Sequence, residues 1–329
     1  MNNTDNIITL SIVIPIYRGE HCISDLLEEI KPFTTISFTT KGLRYCVTEV
    51  ILVHDCGPDN SAIILQGLKE KNTFTQVIWL ARNYGQHPAT LAGLASSSAE
   101  WVITMDEDGQ QDPKDVANLL DYAVTNNLSL VYADPLNPPP HGLFRNVCSF
   151  IAKKIGSFFL EEGFTAKNFN SFRLIYGENA RVIAAYCGYG IYLDIALRWV
   201  TNQIGYCPVT LREERRPSSY SLKSLVAHFW RMVITSGTRP LRFIAVLGLA
   251  SLFISLLISL YALYGKFISS APSQGWSSLL IVISFFSGLI MLSIGILAEF
   301  LAINISISLG RPLYIISSKP SSNRAIKNP

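Results

Sequence analysis

Two long uncharged stretches near the C-terminus limit what this chain can fold into more than any other feature of its sequence. Residues 243–265 carry no charged side chain, and residues 277–298 form a second such run, which Glu299 follows. Each stretch is long enough to cross a bilayer as a helix. Across residues 243–298 the only charged residue is Lys266, which disfavours two buried helices of a water-soluble fold. We therefore predict two transmembrane helices joined by a short turn.

The charges that flank these stretches predict their orientation. Arg239 and Arg242 precede the first span, and Arg311 and Lys319 follow the second. Because basic residues favour the cytoplasmic side of a membrane, both outer flanks are expected there. Residues 1–16 do not have the pattern of a cleavable signal. The sequence thus predicts a protein of the inner membrane with two spans, its N-terminal domain and both termini in the cytoplasm.

The composition agrees with one large domain and a membrane appendage. The chain has 329 residues, of which 49% are hydrophobic and only 16% are charged. The net charge of +3 is too small to indicate nucleic acid, and the six cysteines form no C-x-x-C pair, so neither a zinc site nor a disulfide framework is expected. We predict a cytosolic domain over residues 1–220, an amphipathic juxtamembrane helix over 221–242 and a cytosolic tail over 299–329. The end of that tail, from Ser317, is expected to fray.

The N-terminal domain alternates predicted strands with helices. The predicted strands cover residues 8–16, 48–53, 75–80, 101–105 and 129–132. Such alternation is typical of an α/β fold with a mostly parallel, Rossmann-like sheet and flanking helices. No G-x-G-x-x-G follows the first strand, so the dinucleotide-binding fingerprint is absent.

The fourth predicted strand runs directly into three acidic residues, Asp106, Glu107 and Asp108. If the chain is still extended there, Asp106 and Asp108 point the same way. Two such carboxylates suit a hard divalent cation, Mg²⁺ or Mn²⁺. The simpler alternative is a solvated acidic turn, because a D-x-D triplet is common by chance.

Three other polar segments also follow predicted strands, at residues 15–20, 55–59 and 82–86. The carboxyl ends of parallel strands converge on one crevice, where α/β sheets bind ligands. A cation, Asp55 as an acceptor for a base or ribose, and the positive charge of Arg82 would together suit a nucleoside diphosphate.

Several motifs make the sequence resemble a known family. They are IVIPIY (residues 12–17), VHDCGPDNS (53–61), LARNYGQHPATLAGL (80–94) and MDEDGQQDP (105–113), followed by FRL (172–174), SSYS (218–221), RPLR (239–242), AEF (298–300) and GRPLYII (310–316). With them the chain resembles the inverting GT-A glycosyltransferases of family two, specifically the polyprenyl-phosphate glycosyltransferases related to dolichyl-phosphate mannosyltransferase. The resemblance covers nearly the whole chain.

The resemblance implies an activity and its partners. Members of that family move a sugar from a nucleotide-sugar to a lipid phosphate at the cytosolic membrane face. A UDP-sugar is the expected donor, with GDP-mannose second, and undecaprenyl or dolichyl phosphate is the expected acceptor. A homo-tetramer is implied in the same way.

The resemblance also implies roles for particular residues. Asp106, Asp108 and Arg173 are expected to be catalytic, and the two aspartates to hold the metal. The nucleotide-sugar is expected to contact Pro15, Tyr17, Glu20, Asp55, Arg82, Asp106 and Gln110. The acceptor phosphate is expected to meet Arg215, Arg216 and Tyr220. Two alternatives remain open: Arg173 could pair with an acid at the sheet edge, and the arginines at 215 and 216 could contact lipid headgroups.

Some segments depart from the family pattern. After the second strand, where the family has two acids followed by Gly-Ser, this chain has His54-Asp55 followed by Cys56-Gly57. After the first strand, where the family has Asn-Glu, it has Arg18-Gly19. The basic residues expected after the fifth strand are absent from residues 134–137, and residues 216–220 lack the usual glycine and lysine. Two alternatives follow: a non-catalytic family member acting as a membrane subunit, or a transferase that acts on a glycan.

Overall fold

The computed structural model describes residues 7–137, 169–188, 190–212, 239–268 and 275–320. The chain divides into two compact units. The first comprises Met1–Phe150, Ala166–Leu222 and Pro312–Pro329, and the second comprises Ile151–Thr165 and Lys223–Arg311. Most of the predicted juxtamembrane helix over residues 221–242 lies outside the described residues, as do Arg215, Arg216 and Tyr220.

Within the described residues, the first unit is built on a nine-stranded sheet. Its strands are β1 (Ile8–Ile16), β2 (Ser37–Phe38), β3 (Arg44–His54), β4 (Thr75–Leu80), β5 (Trp101–Thr104), β6 (Leu130–Pro135), β7 (Arg173–Tyr176), β8 (Ile204–Val209) and β9 (Ile316–Ser317). The order is β8-β6-β7-β5-β1-β3-β4-β9, with β2 paired to β3. β2, β7 and β9 run antiparallel to their neighbours, and the other strands share one direction. The predicted mostly parallel sheet is confirmed.

Helices cover both faces of this sheet. They are α1 (Ile23–Ile30), α2 (Ser61–Lys71), α3 (Gln86–Ser96), α4 (Asp115–Thr125), α5 (Gly177–Tyr186) and α6 (Leu193–Val200), and a 3₁₀ helix, Lys31–Thr34, follows α1. Apolar side chains of α1, α2 and α4 pack in one core cluster with Ile12 and Ile14 of β1. Those of α3, α5 and α6 pack in a second cluster with Val13. Burial on both faces explains why β1 is an almost unbroken apolar run.

The sequence patterns located the first five long strands but missed the later ones. β7 and β8 were not predicted, and β7 inserts antiparallel between β5 and β6. The prediction of a frayed tail from Ser317 was wrong at its start, because Ile316 and Ser317 pair with Leu80 and Trp79 of β4. Leu313 and Tyr314, just before β9, pack against the second core cluster.

The second unit contains two long apolar helices, α7 (Arg239–Ile268) and α8 (Trp276–Ser308), which contact each other. By length and composition, Phe285–Ser308 could cross a membrane: it has 24 residues and a mean hydropathy of 2.1. In α7 the stretch Ile244–Ile258 is also apolar. The helix does not end near Glu299, as the sequence suggested, but continues for nine residues beyond it.

Candidate active site

Four loops lie at the carboxyl ends of β1, β3, β4 and β5, which are adjacent in the sheet in the order β5-β1-β3-β4. These are the loops that carry the polar segments singled out in the sequence. The structure brings them into direct contact through side-chain carboxylates of one loop and N–H groups of another. Together these contacts form the floor of the candidate site.

The middle acid of the D-x-D triplet, Glu107, joins the loop after β5 to the loop after β1. Its carboxylate oxygens accept hydrogen bonds from the backbone N–H groups of Tyr17 (3.0 Å) and Arg18 (2.9 Å). An added Cβ at Gly19 would lie 2.9 Å from the same carboxylate. Glu107 therefore has a structural role, and it holds the predicted donor-binding residue Tyr17 in place.

The loops after β1 and β3 are joined by a reciprocal pair of acids. The Glu20 carboxylate accepts from the backbone N–H (3.1 Å) and side-chain amide (2.8 Å) of Asn60. These bonds lower the pKa of Glu20. In return, the Asp59 carboxylate accepts from the backbone N–H of Glu20 at 3.1 Å and from the Ser61 hydroxyl at 2.6 Å. Glu20 thus lies at the site, but its carboxylate is engaged with the protein.

Asp55 joins the loops after β3 and β4. Its two carboxylate oxygens accept from the backbone N–H groups of Tyr84 (2.7 Å) and Gly85 (2.8 Å). The side chain is buried, and burial raises the pKa of Asp55 to about 6, although both hydrogen bonds oppose the shift. The predicted contact of Asp55 with a nucleobase stays a prediction. In this structure the residue shapes the turn that leads into α3.

Arg82 and Tyr17 are the most open of the predicted donor-binding residues. The Arg82 guanidinium stacks over the Tyr84 ring, with its central carbon 4.8 Å from the ring centre. Tyr17 is 39% exposed, while Pro15, which precedes it at the end of β1, is partly buried. An exposed cation and an exposed aromatic ring beside the same crevice suit a phosphate and a flat base.

The first aspartate of the triplet, Asp106, is held by four hydrogen bonds. Its Oδ1 accepts from the Gln86 side chain at 2.6 Å. Its Oδ2 accepts from Gln111 Nε2 at 3.1 Å and from the Ser171 hydroxyl, and its backbone N–H donates to Gln111 Oε1 at 2.8 Å. Burial and, to a smaller extent, the charge of Asp108 raise the pKa of Asp106 to about 6, although the Ser171 and Gln111 hydrogen bonds oppose the shift.

Asp108, the second aspartate, is not on the strand. β5 ends at Thr104, and Asp108 lies in a turn that Gly109 continues with a φ of 75°. One Asp108 oxygen accepts from the backbone N–H of Gln110 at 3.0 Å. The sequence argument for parallel side chains assumed an extended chain and was wrong about the backbone. Asp108 is nevertheless close enough for its charge to contribute to the raised pKa of Asp106.

Two neighbouring carboxylates provide part of the ligand set of a hard divalent cation. Among residues 7–137, 169–188, 190–212, 239–268 and 275–320, no group of three His, Cys, Asp or Glu side chains could hold a metal ion. Mg²⁺ typically takes one or two carboxylates and completes its shell with water and substrate phosphate oxygens. Asp106 and Asp108 therefore fit a cation that binds together with a diphosphate rather than a closed structural metal site.

Arg173 lies in the core beside the candidate site. Its guanidinium forms a buried ion pair with Asp194 of α6, which also accepts from the Tyr132 hydroxyl at 3.0 Å. Arg173 Nε donates to Thr104 Oγ1 at 3.1 Å. Only 3% of Arg173 is exposed, and the charge of Asp194 raises its pKa against the effect of burial. The structure therefore favours the alternative in which Arg173 pairs with an acid over a direct catalytic role.

The sequence analysis missed five residues that shape this site: Gln86, Glu107, Gln111, Ser171 and Asp194. The first three lie inside the motif segments, but nothing in their spacing indicates what they contact. Ser171 and Asp194 are both more than 60 residues from Asp106 along the chain. Asp194 is linked to the site through its buried partner Arg173. Only the antiparallel insertion of β7 next to β5 brings Ser171 to Asp106.

Residues 11–185 match the family model described as Glycosyl transferase family 2, which is more than half of the chain. The chain therefore belongs to glycosyl transferase family 2, and it is a glycosyltransferase. This agrees with the class of fold and with the acidic edge described above.

Two curated relatives match over nearly their full length. The bactoprenol glucosyl transferase of Shigella phage SfV is 26% identical over 318 residues, covering 94% of this chain and 98% of the relative. The SfII prophage-derived bactoprenol glucosyl transferase of Shigella flexneri is 27% identical over 323 residues, covering 95% and 99%.

Two solved structures also resemble the chain. Glucosyl-3-phosphoglycerate synthase from Mycobacterium tuberculosis, in complex with Mn²⁺, UDP and phosphoglyceric acid, has a TM-score of 0.48 and 17% identity, covering 70% of this chain and 78% of that one. TarS of S. aureus in complex with UDP-GlcNAc has a TM-score of 0.44 and 15% identity, covering 70% and 66%.

Proposed function

We propose that this glycosyltransferase moves glucose from UDP-glucose to a polyprenyl phosphate, with inversion at the anomeric carbon, at the cytoplasmic face of a membrane. The observation that carries the proposal is the match to bactoprenol glucosyl transferases over 94–95% of the chain, which includes the apolar helices as well as the sheet. The acidic edge of the sheet supports a nucleotide-sugar donor. GDP-mannose remains the second candidate.

The chemistry needs little help from a protein base. A lipid phosphate is already ionised near neutral pH, so its oxygen can attack the anomeric carbon directly. A bond forms between that oxygen and the carbon while the bond from the carbon to the diphosphate oxygen breaks, and UDP leaves with the electron pair. Catalysis then depends on orienting the two substrates and on stabilising the departing diphosphate.

The residues of the four loops divide this work. Asp106 and Asp108 would hold Mg²⁺ or Mn²⁺, which when bound neutralises charge on the leaving diphosphate. Arg82 would add positive charge near a phosphate, and Tyr17 would pack against a base. Pro15, Glu20, Asp55 and Gln110 shape the crevice through their backbone or through the contacts described above. Arg215, Arg216 and Tyr220 remain the proposed contacts of the acceptor phosphate.

The pairing of β9 with β4 supports two membrane crossings. β9 follows α8 in the chain, yet it belongs to the same sheet as the strands that precede α7. The chain between them must therefore cross a bilayer an even number of times if it crosses at all. A single span through Phe285–Ser308 would put β9 on the opposite side from β4. We propose that α7 and α8 both span, with the sheet and both termini in the cytoplasm.

Transfer of labelled sugar tests the activity directly. Membranes containing the full chain are incubated with undecaprenyl phosphate, Mn²⁺ or Mg²⁺, and labelled UDP-glucose, UDP-N-acetylglucosamine or GDP-mannose. We expect a labelled, chloroform-soluble lipid with UDP-glucose, its loss with EDTA, and its loss in Asp108→Asn. Label in GDP-mannose samples alone would overturn the donor assignment, and label only in a water-soluble glycan would overturn the acceptor. Absence of labelled product with every donor would overturn the whole proposal.

A further inference from the structure

The two carboxylate oxygens of Asp106 have different surroundings. Oδ2 is directed into the protein, where it accepts from the Ser171 hydroxyl and from Gln111 Nε2 in partly buried bonds. Among the described residues, Oδ1 accepts only from Gln86 Nε2, in an exposed bond from an exposed side chain. One oxygen is therefore anchored, while the other is covered by an amide that solvent or a ligand can displace.

Gln111 fixes the main chain and the side chain of Asp106 at once. Its Oε1 accepts from the backbone N–H of Asp106 at 2.8 Å, and its Nε2 donates to Asp106 Oδ2 and to Ser171 Oγ, each at 3.1 Å. Gln111 is only 4% exposed, so water cannot readily replace these bonds. The three side chains form a closed ring of hydrogen bonds that leaves Asp106 few other orientations.

The backbone of Ser171 is also held by a hydrogen bond. Its carbonyl accepts from the Thr104 hydroxyl at 2.5 Å, and Thr104 Oγ1 accepts from Arg173 Nε at 3.1 Å. Arg173 is in turn fixed by the buried ion pair with Asp194. A continuous chain of hydrogen bonds thus runs from the core to Asp106 through Thr104 and Ser171.

We propose that Gln111 and Ser171 are positioning residues that anchor Oδ2 of Asp106, so that Oδ1 is presented to the divalent cation that binds with the donor diphosphate. The inference rests on the proposed function, because it needs a cation at the Asp106–Asp108 pair. Partners of a metal-binding carboxylate orient its lone pairs, and their loss typically weakens metal affinity by about tenfold or more.

The test measures cation binding and activity separately. Full-length chain purified in detergent is titrated with Mn²⁺ in the presence of UDP, and free Mn²⁺ is followed by electron paramagnetic resonance. The variants are Ser171→Ala, Gln111→Glu and Ser171→Thr, which keeps a hydroxyl. Ser97→Ala is the matched control, because it removes a buried serine hydroxyl bonded to Leu94 O at the far end of α3. Thermal unfolding is recorded for every variant.

We expect Ser171→Ala and Gln111→Glu to weaken Mn²⁺ binding by about tenfold, and Ser171→Thr to recover most of it. In transfer assays the Mn²⁺ concentration for half-maximal rate should rise by a similar factor, while kcat at saturating Mn²⁺ stays near that of the wild type. Ser97→Ala should change neither quantity. If Ser171→Ala does not fold, the nearly isosteric Gln111→Glu carries the same test.

The outcomes separate this inference from the proposed function. Wild-type Mn²⁺ affinity in folded Ser171→Ala and Gln111→Glu would overturn the inference and leave the activity intact. A loss of kcat that saturating Mn²⁺ does not restore would also overturn it. Wild-type protein that neither binds Mn²⁺ with UDP nor transfers sugar would overturn both.

Discussion

At the scale of single residues, the acids of the candidate site serve two different purposes. The carboxylates of Glu20, Asp55 and Glu107 accept hydrogen bonds from N–H groups of neighbouring loops. Asp108 has a hydrogen bond only to the backbone of its own turn among the bonds described, and Asp106 presents one displaceable oxygen. The acids that build the crevice are thus distinct from the pair suited to bind a cation, although all five lie in the polar segments that follow β1, β3 and β5.

His54, at the carboxyl end of β3, is buried and has no hydrogen-bond partner among the described residues. Neither ring nitrogen has one within the described residues, and the ring packs edge-on against Trp79. A buried polar group without a partner costs stability, so we expect His54→Leu to raise the free energy of unfolding by about 1–3 kcal/mol. Thermal or urea unfolding in detergent measures this, with the exposed His21→Leu as control. An unchanged or lower stability would contradict the expectation.

The same residue predicts a pH effect. Burial lowers the pKa of His54, and the charge of Asp59 opposes this only in part. Since the folded-state pKa lies below the unfolded value of about 6.5, the unfolded chain binds more protons once the pH falls through that range. Stability from neutral His54 is therefore present above about pH 6.5 and lost as the pH drops. The stability difference between His54→Leu and wild type should grow between pH 7 and 5, and a constant difference would refute this.

Gly57 is required by the close approach of two loops. A Cβ at this position would lie 1.7 Å from the carbonyl oxygen of Tyr17. Because a backbone atom cannot move aside cheaply, we expect Gly57→Ala to displace the loop after β1, raise the KM for the donor severalfold and lower the melting temperature. Gly67→Ala on α2, where a Cβ meets nothing within 4 Å, is the matched control. Wild-type kinetics in Gly57→Ala would show that the loops do not meet as described.

At the scale of elements, the C-terminal strand links the sheet edge to the candidate site. Besides the pairing of β9 with β4, the backbone N–H of Ala81 donates to Ile315 O at 2.9 Å. Ala81 immediately precedes Arg82. The segment that follows α8 therefore helps to fix the start of the loop that carries Arg82, Tyr84 and Gly85.

Packing of Tyr314 should stabilise this arrangement. Tyr314 is partly buried against the second core cluster, whereas its neighbour Ile315 is 51% exposed. We expect Tyr314→Ala to lower the free energy of unfolding by about 2 kcal/mol, less than a fully buried aromatic residue would cost, and to raise the donor KM. Ile315→Ala should have a much smaller effect. Equal effects of the two substitutions, measured by thermal unfolding, would argue against β9 as a docked strand.

At the scale of the whole molecule, the proposed topology predicts which positions a membrane-impermeant maleimide can reach. In a cysteine-free variant, Ser270→Cys lies in the sequence between α7 and α8, and Lys319→Cys lies after β9. Intact cells should label Ser270→Cys only, and permeabilised cells should label both. Labelling of Lys319→Cys in intact cells would contradict the pairing of β9 with a cytoplasmic sheet. The homo-tetramer implied by the family resemblance stays a prediction.

The sequence alone determined the parts of this protein that depend on local periodicity and composition. β1 and β4 were located to the residue because largely apolar, β-branched runs bounded by polar turns leave little choice of structure. The uncharged stretches over residues 243–265 and 277–298 indicated two long apolar helices for the same reason. The motif segments were sufficient to name the family and to single out Asp106 and Asp108 as candidate metal ligands.

Tertiary structure alone decided which of these polar residues meet. β7 and β9 are short strands whose position depends on partners far away in the chain, so no local pattern could reveal them. Their insertion beside β5 and β4 is what carries Ser171 to Asp106, gives Arg173 its place next to Thr104, and brings the C-terminal segment to the Arg82 loop. Hydrogen bonds between distant residues depend on the three-dimensional path of the backbone, whereas apolar periodicity is a property of the local sequence.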